Sequence, residues 1–516
     1  MAFSTFAVGG SALVFLVAGL VWQRTCKSAP PWHAELAAML GQPRAKKLPG
    51  TAVVCGGSIA GSVTARILAD HFERVILVDP EVDKIDEPKT RILQYNAFHV
   101  FLCLFVAGAR RLWPNFDAEI QAAGGRFGST KAGLHYSGIP IIFPPSFPET
   151  MTIRRPGAQR VIQKLLMQHP TATNITVIPG TVRGFNPSGD TSSIQSVLIR
   201  KTDGTQVSLN DVALVVDCTG PTQSGLKWLK SAGFALPENL RRSYSGNMRY
   251  TTINFTVTPE LEAKLPIPGL SQDTIMIYAN LPHSTFGCFL VGFSRIEENT
   301  MQVLFSDSGE GDSDMPRVAS DVLPYLQRFP SHEPIPAWFF EVVALLCEQG
   351  DPVFYHTKIS TQSYVEYHRV PARDLPSNFI AIGDATLQLN PIHGQGFAKI
   401  MLNGIALDAL LRSLNTTSLP RDFSARYFKK NATYTGGLWD GTRLQDYAYP
   451  TCHPMEGETH DTGRFIRWFA AKLLAAATQD EEVATAMWKA RHFLVADSAL
   501  FAPTVLWKIL WTSSRF

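Results

Sequence analysis

The sequence predicts an α/β fold, and three segments predict it. In the first, Val53-Val54-Cys55-Gly56-Gly57-Ser58-Ile59-Ala60-Gly61 runs from an apolar strand through a small-residue turn into a helix. A second apolar strand, Val75–Val78, follows and ends in Asp79. In the second segment, Val212–Val216 runs into Asp217-Cys218-Thr219-Gly220. In the third, Phe379–Ile382 runs into Gly383-Asp384. The turn Asn390-Pro391-Ile392-His393-Gly394-Gln395-Gly396 then opens a helix from about Phe397 to Leu411. Continuous apolar runs closed by small residues read as parallel strands buried on both faces.

The first segment has the strand–turn–helix–strand–acid order of a Rossmann-like, dinucleotide-binding βαβ unit. Its turn must be small because backbone approaches a pyrophosphate, which sits on the free N–H groups where the helix starts near Ile59. In G-x-G-x-x-G register Gly56 and Gly61 match, and Ser58 takes the middle position. Asp79 falls about 20 residues on, where a carboxylate accepts from ribose hydroxyls and disfavours a 2′-phosphate. Taken alone, this segment also fits an ordinary strand–turn–helix. The third segment adds a carboxylate at a strand end, suited to a sugar-alcohol chain. It also adds a helix N-terminus behind glycines, suited to partial negative charge on a ring.

Together these elements resemble the FAD-dependent monooxygenases of the aromatic hydroxylase class, the group A flavoprotein monooxygenases. The Gly383-Asp384 element and the Asn-Pro-x-x-Gly-Gln-Gly turn carry most of the likeness. Arg91-Ile92-Leu93-Gln94 with His99, Arg154-Arg155-Pro156, and Gly220–Leu240 extend it over roughly residues 50 to 412. The resemblance implies FAD as cofactor, with Gly56, Ser58 and Gly61 at its pyrophosphate and Asp79 at the adenosine ribose. It places Arg91 and Gln94 along the FAD and Asp384 at the ribityl or pyrophosphate end. Pro391, Gly394, Gln395 and Gly396 would border the isoalloxazine, where oriented N–H groups stabilise an anionic reduced ring. It further implies that NAD(P)H reduces the flavin and that O2 then oxygenates a substrate. One departure bears on NAD(P)H. Many members of the class carry Asp-Gly in the middle segment, whereas Asp217-Cys218-Thr219-Gly220 is closer to flavin reductases and halogenases. The Trp-x-Trp-x-Ile-Pro signature of flavin halogenases is absent.

Composition agrees with a large buried core. The chain has 516 residues, 45% of them apolar, and a net charge of +3, with no basic footprint for nucleic acid. Its seven cysteines show neither CxxC pairs nor metal spacing, so they read as reduced thiols and no metal is expected. Ala2–Gln23 carries no charge and is followed by Arg24 and Lys27. That length suffices for a transmembrane helix of about 20 residues, and the charge order puts the rest of the chain in the cytosol. The expected localisation is a single-pass N-terminal anchor in the endoplasmic reticulum membrane. A cleaved signal peptide is the rival, weakened by the missing basic n-region.

The expected organisation is a FAD-binding domain interleaved with an antiparallel-sheet substrate domain. Residues 1–27 form the anchor and 28–49 a linker. FAD-binding parts fall at 50–125, 151–230 and 356–412, substrate-domain parts at 126–150 and 231–355, and a helical region at 413–516. Residues 91–125 read as helical. Strand-rich 245–306 reads as a sheet roofing a substrate cavity. Leu500–Trp511 is apolar but interrupted by Pro503, which suits a helix lying in a membrane interface or packed on the domain's own core.

No acid or base stands out. His393, in the flavin-side turn, is the candidate catalytic group, weighed against packing; His99 is a candidate structural hydrogen-bonder, and Tyr136 and Tyr278 are candidate pocket aromatics, with core or rim packing the favoured alternative. The absence of Gly-x-Ser-x-Gly and of HExxH argues against hydrolase and zinc-peptidase chemistry. The expected function is an FAD-dependent monooxygenase that hydroxylates or epoxidises a hydrophobic small molecule, in secondary metabolism. The alternatives are a flavin oxidoreductase that inserts no oxygen, a desaturase or reductase, and a non-catalytic membrane-tethered flavoprotein.

Overall fold

The computed structural model describes residues 30–128, 133–169, 173–267, 275–280, 289–297, 299–308, 315–329 and 331–512. The expected anchor, 1–27, lies outside these residues. Among those described, no helix is long and apolar enough to cross a membrane.

The three predicted segments form one sheet. It holds β1 (Leu48–Cys55), β2 (Phe72–Asp79), β7 (Ile175–Pro187), β8 (Ile194–Lys201), β9 (Gln206–Asn210), β10 (Val212–Asp217) and β16 (Phe379–Ala381), in the order β16-β10-β1-β2-β7-β8-β9. The first five in that order are parallel, and β7–β8–β9 add an antiparallel meander at the edge. The sequence shows why β1 is central. Residues 51 to 55 are all buried, and fully burying a valine stabilises the fold by about 1.5–3 kcal/mol. Helix α1 (Ile59–His71) packs on it with every residue but Ala60 buried. Even its polar residues find partners: Arg66 pairs with Asp70 at 2.8 Å and His71 with Asp408 at 2.8 Å.

A second sheet has the order β17-β15-β11-β14-β13-β12-β4-β5. Its members are β4 (Gly133–Tyr136), β5 (Ile139–Pro140), β11 (Arg241–Thr256), β12 (Ile275–Asn280), β13 (Phe289–Arg295), β14 (Thr300–Asp307), β15 (Pro352–Val365) and β17 (Leu387–Gln388). Two short strands, β3 (Arg126–Gly128) and β6 (Thr150–Thr152), pair separately. One face of the large sheet buries Phe255, Phe293 and Phe305 against helices Ala319–Gln327 and Ala337–Gln349. The other face meets the 91–102 segment: Ala97 packs with Tyr250 and Ile359, and the Phe98 N–H donates to Thr252 Oγ1 at 3.0 Å. Residues 91–102 are turns and extended chain rather than the predicted helix, which begins only at α2 (Cys103–Leu112).

Helices α3 (Arg155–Gln168) and α4 (Gly396–Arg412) pack beside α1. The C-terminal region is helical as expected: α5 (Phe423–Asp446), α6 (Arg464–Ala477), α7 (Glu481–Arg491) and α8 (Pro503–Trp511). Asp480 caps α7, accepting from the N–H groups of Glu482 and Val483. Trp488, Ala476 and Ile509 build a separate core with Tyr136, Ile141 and Phe147. Tyr136 is therefore a core residue rather than a pocket aromatic; the Tyr278 side chain lies outside the described residues.

Candidate active site

Strand register brings three turns together. Cys55 pairs with Asp217, and Asp217 with Ala381, so the turns after β1, β10 and β16 stand side by side at the carboxyl ends of parallel strands. β1 lies between β10 and β2, where the strand order reverses, the place at which open α/β sheets bind ligands.

The first turn is tight for steric reasons. Gly56 has φ +110° and lies against the second turn: a Cβ there would sit 2.5 Å from the Cys218 carbonyl oxygen. A Cβ on Gly61 would sit 1.8 Å from the Gly56 oxygen, so α1 can approach β1 only with glycine there. Ser58 is the N-cap of α1, yet its side chain makes no capping bond. The first-turn N–H groups therefore lack both intrahelical and side-chain acceptors, which is the condition for holding phosphate. The Ser58 hydroxyl instead donates to Gln159 at 3.1 Å and accepts from Arg155 at 3.3 Å. Asp79 is half-buried; its two oxygens accept from the N–H groups of Gly57 at 2.9 Å and Glu81 at 2.8 Å. Burial raises its pKa against the pull of those amides.

In the second turn, Asp217 organises backbone. It accepts from Thr219 N–H at 2.8 Å, Thr219 Oγ1 at 2.7 Å and Gly225 N–H at 2.8 Å. Cys55 and Cys218 are buried, and burial drives both thiol pKa values up; they are packing residues.

The third turn places Asp384 beside Lys399 Nζ at 2.5 Å. The Lys399 ammonium is buried and also donates to the Leu387 carbonyl. The Asp384 carbonyl accepts from Gln223 at 3.2 Å, a buried residue held in the left-handed region at φ 48°. Arg155 lies within electrostatic range of Asp384; its pKa falls to about 10 through desolvation, which Asp384 partly offsets. Its Nε is buried without a partner. This enclosed cation beside a bare helix N-terminus fits a pyrophosphate. Arg91 stands exposed, Gln94 is half-buried, and from this segment Tyr95 and His99 come within electrostatic range of Arg155.

The Asn390–Gly396 turn is held from three sides. Asn390 caps it by accepting from Ile392 N–H at 3.2 Å and donates to Asp446 at 2.9 Å. Gly394 has φ +65°, and a Cβ there would meet Val100 at 2.5 Å. Phe397 stacks on Phe101, centroids 4.4 Å apart, and meets His99 edge-on. Burial and the Arg155 cation push the His99 pKa down to about 3. His99 is neutral and bonds the Ala97 carbonyl at 2.7 Å, a backbone-fixing role. Gln395 N-caps α4 without a side-chain capping bond, its Oε1 is buried without a partner, and nothing lies within 4 Å of a Cβ on Gly396. Uncapped N–H groups and open space in front of Gly396 fit a ring edge of partial negative charge.

His393 contacts Asp446 Oδ1 through Nε2 at 3.1 Å. The fully buried Asp446 closes α5 and also accepts from Tyr244 OH at 2.6 Å. From α7, Arg491 donates to the His393 carbonyl at 3.3 Å. The C-terminal region thus grips the turn through Asp446 and Arg491. Cys103 and His492, 3.1 Å apart, are not a thiolate pair: burial raises the thiol to about 12 and lowers the imidazole to about 3.

Lys399, Gln223, Asp446 and Arg491 are residues that motif reading missed. Only Lys399 carries a sequence signal, a cation within the largely apolar first turns of α4. No group of His, Cys, Asp and Glu among the described residues could hold a metal.

Comparison with solved structures agrees with this geometry. The chain is similar to the flavin-dependent brominase Bmp2, with a TM-score of 0.60 at 14% identity, covering 90% of this chain and 98% of that one. It is similar to a flavoprotein/dehydrogenase from Cytophaga hutchinsonii, with a TM-score of 0.57 at 12% identity, covering 88% and 95%. It is also similar to pqsL, a probable FAD-dependent monooxygenase from Pseudomonas aeruginosa, with a TM-score of 0.51 at 16% identity, covering 78% and 94%. By sequence it is 22% identical over 466 residues to Protein Rv3254 of Mycobacterium tuberculosis (strain ATCC 25618 / H37Rv), covering 88% of this chain and 91% of that protein. No protein-family model matches. The chain therefore has the fold of the FAD-dependent monooxygenases and flavin-dependent halogenases.

Proposed function

We propose that the chain binds FAD across the three turns and acts as a monooxygenase on a hydrophobic small molecule, using NAD(P)H and O2. The observation that carries this reading is the pair of uncapped helix N-termini, at Ser58 and Gln395, with Arg155 bonded to Ser58, Asp384 paired with Lys399 of α4, and the Arg155 and Asp384 charges within electrostatic range of each other. FAD, when bound, supplies electron transfer from a nicotinamide and activation of O2. The Ser58–Ala60 N–H groups and Arg155 hold the pyrophosphate, Asp79 the ribose and Asp384 the ribityl chain. The Gly394–Gly396 backbone faces the ring edge where negative charge develops. Phe101, Phe397 and neutral His99 keep water from that edge. His393, oriented by Asp446 through Nε2, keeps Nδ1 for a proton at the substrate side, a role worth about 10²–10⁴-fold in rate.

Incubation with 18O2 and a panel of apolar phenols and polyenes tests the reading: one labelled oxygen in product supports it. Unlabelled product instead supports a flavin oxidoreductase that inserts no oxygen: a reductase where NAD(P)H is consumed, a desaturase where the substrate itself supplies the electrons and O2 takes them up. We also propose that the uncharged Ala2–Gln23 run anchors the protein in a membrane, which suits a substrate that partitions into lipid. Full-length protein resisting carbonate extraction, and release on deletion of residues 1–27, is the expected result.

A further inference from the structure

We propose that α6 and α8 form a second membrane contact, aromatic rings that lie in the lipid–water interface. Seven of the twelve large apolar side chains that stand exposed among the described residues fall between 465 and 511. Phe465 and Trp468 are 66% and 43% exposed on α6; Trp507 and Trp511 are 54% and 73% exposed on α8. The two helices touch: Phe469 of α6 stacks on Phe501, just before α8, at 5.0 Å, and Lys472 Nζ donates to the carbonyl of Thr512, just after it, at 3.1 Å. Trp507 and Trp511 stack on each other at 4.6 Å, and Phe465 and Trp468 lie tilted against each other at 5.4 Å, so the rings pack in pairs while staying exposed. The opposite sides of both helices are spoken for: Leu473, Ala476, Val505 and Ile509 are core.

The sequence that precedes the described chain suits the same surroundings. Residues 1–29 lie outside the structure, and the described chain begins at Pro30. Trp32 Nε1 donates to the Phe493 carbonyl at 3.1 Å, and His33 bonds the same oxygen at 2.8 Å. Phe493 lies in the link between α7 and α8. The described chain therefore starts against the link that leads into α8, and the uncharged Ala2–Gln23 run precedes it in sequence; among the described residues, these aromatic rings stand exposed on both helices. Exposed tryptophans with an apolar body and a polar N–H suit the headgroup layer. Neither helix is long enough to span, so the face lies on the bilayer rather than through it. The proposal deepens the membrane reading above and can fail separately from it.

The test uses the full chain reconstituted into phosphatidylcholine vesicles containing lipid brominated near the carbonyl end of the chain, compared with W507F/W511F, which keeps the face apolar. Flotation reads the membrane reading as a whole; bromine quenching of tryptophan emission, wild type minus variant, reads the face. Flotation with the Trp507/Trp511 emission at least halved supports the proposal. Flotation with that emission unquenched overturns it and leaves the N-terminal anchor standing. Unquenched emission together with cross-linking between α8 helices of two copies overturns it in favour of a dimer face. Failure of the full chain to float overturns both readings.

Discussion

Asp446 Oδ1 lies 3.1 Å from His393 Nε2, joining the end of the first C-terminal helix to the glycine-rich turn 53 residues earlier. The same carboxylate accepts from Tyr244 and Asn390. The C-terminal region therefore fixes the turn that carries the proposed catalytic residue His393.

Removing the carboxylate should separate the structural from the chemical role. Asp446→Ala strands two buried donors, Tyr244 and Asn390, each worth about 1–3 kcal/mol, and should lower unfolding stability by about 3 kcal/mol in urea titration. Asp446→Asn keeps the shape and should retain FAD while cutting oxygenation about 10-fold or more. A full-rate Asp446→Asn enzyme would reduce Asp446 to a packing residue.

Glycines 61 and 396 should respond oppositely. Gly61→Ala forces a clash with the Gly56 oxygen and should destabilise the fold by at least about 1–3 kcal/mol. Gly396→Val adds a side chain where nothing lies within 4 Å. Its melting temperature should stay near wild type while FAD retention falls about 10-fold.

Asp384 carries two loads. Asp384→Ala should shed flavin and also strand the buried Lys399 ammonium, destabilising the protein by about 1–3 kcal/mol given that the Asp384 side is partly open. Asp384→Ala with Lys399→Met should regain stability but not flavin. Recovery of flavin in the double variant would remove Asp384 from the site.

Acid should unfold the protein partly through His492. Its folded pKa is near 3 against 6.5, because burial and the Arg491 cation disfavour the charged ring. Between those values the unfolded chain binds the extra proton, so stability rises with pH through the window and is lost as pH falls through it. The slope is at most about 1.4 kcal/mol per pH unit. His492→Gln should flatten the stability profile between pH 3 and 6.5 by up to that amount; an unchanged slope would place the proton uptake elsewhere.

Local signals were legible where one segment carries its own geometry. Val53–Gly61, Val212–Gly220 and Phe379–Gly396 each hold a strand and its turn, and the register that aligns them follows from parallel pairing. Residues whose roles depend on a distant partner were not legible. Tyr244 reads as an ordinary strand tyrosine until Asp446, about 200 residues on, closes over it. β15 went unrecognised because its alternation makes sense only against β11, about 100 residues earlier. The 91–102 segment looks helical from its apolar content, but Ala97 and Phe98 pack on the second sheet, and that contact wins over local propensity.

The measurement closest to the central claim is titration of FAD into the purified full-length protein, after removal of any bound flavin, beside Arg155→Met. The account predicts stoichiometric binding with shifted flavin bands in the visible spectrum, and affinity at least about 10-fold weaker in the variant, since the loss of one charge-assisted contact costs about 1.5–3 kcal/mol. A wild-type protein that stays folded and takes up no FAD would contradict it.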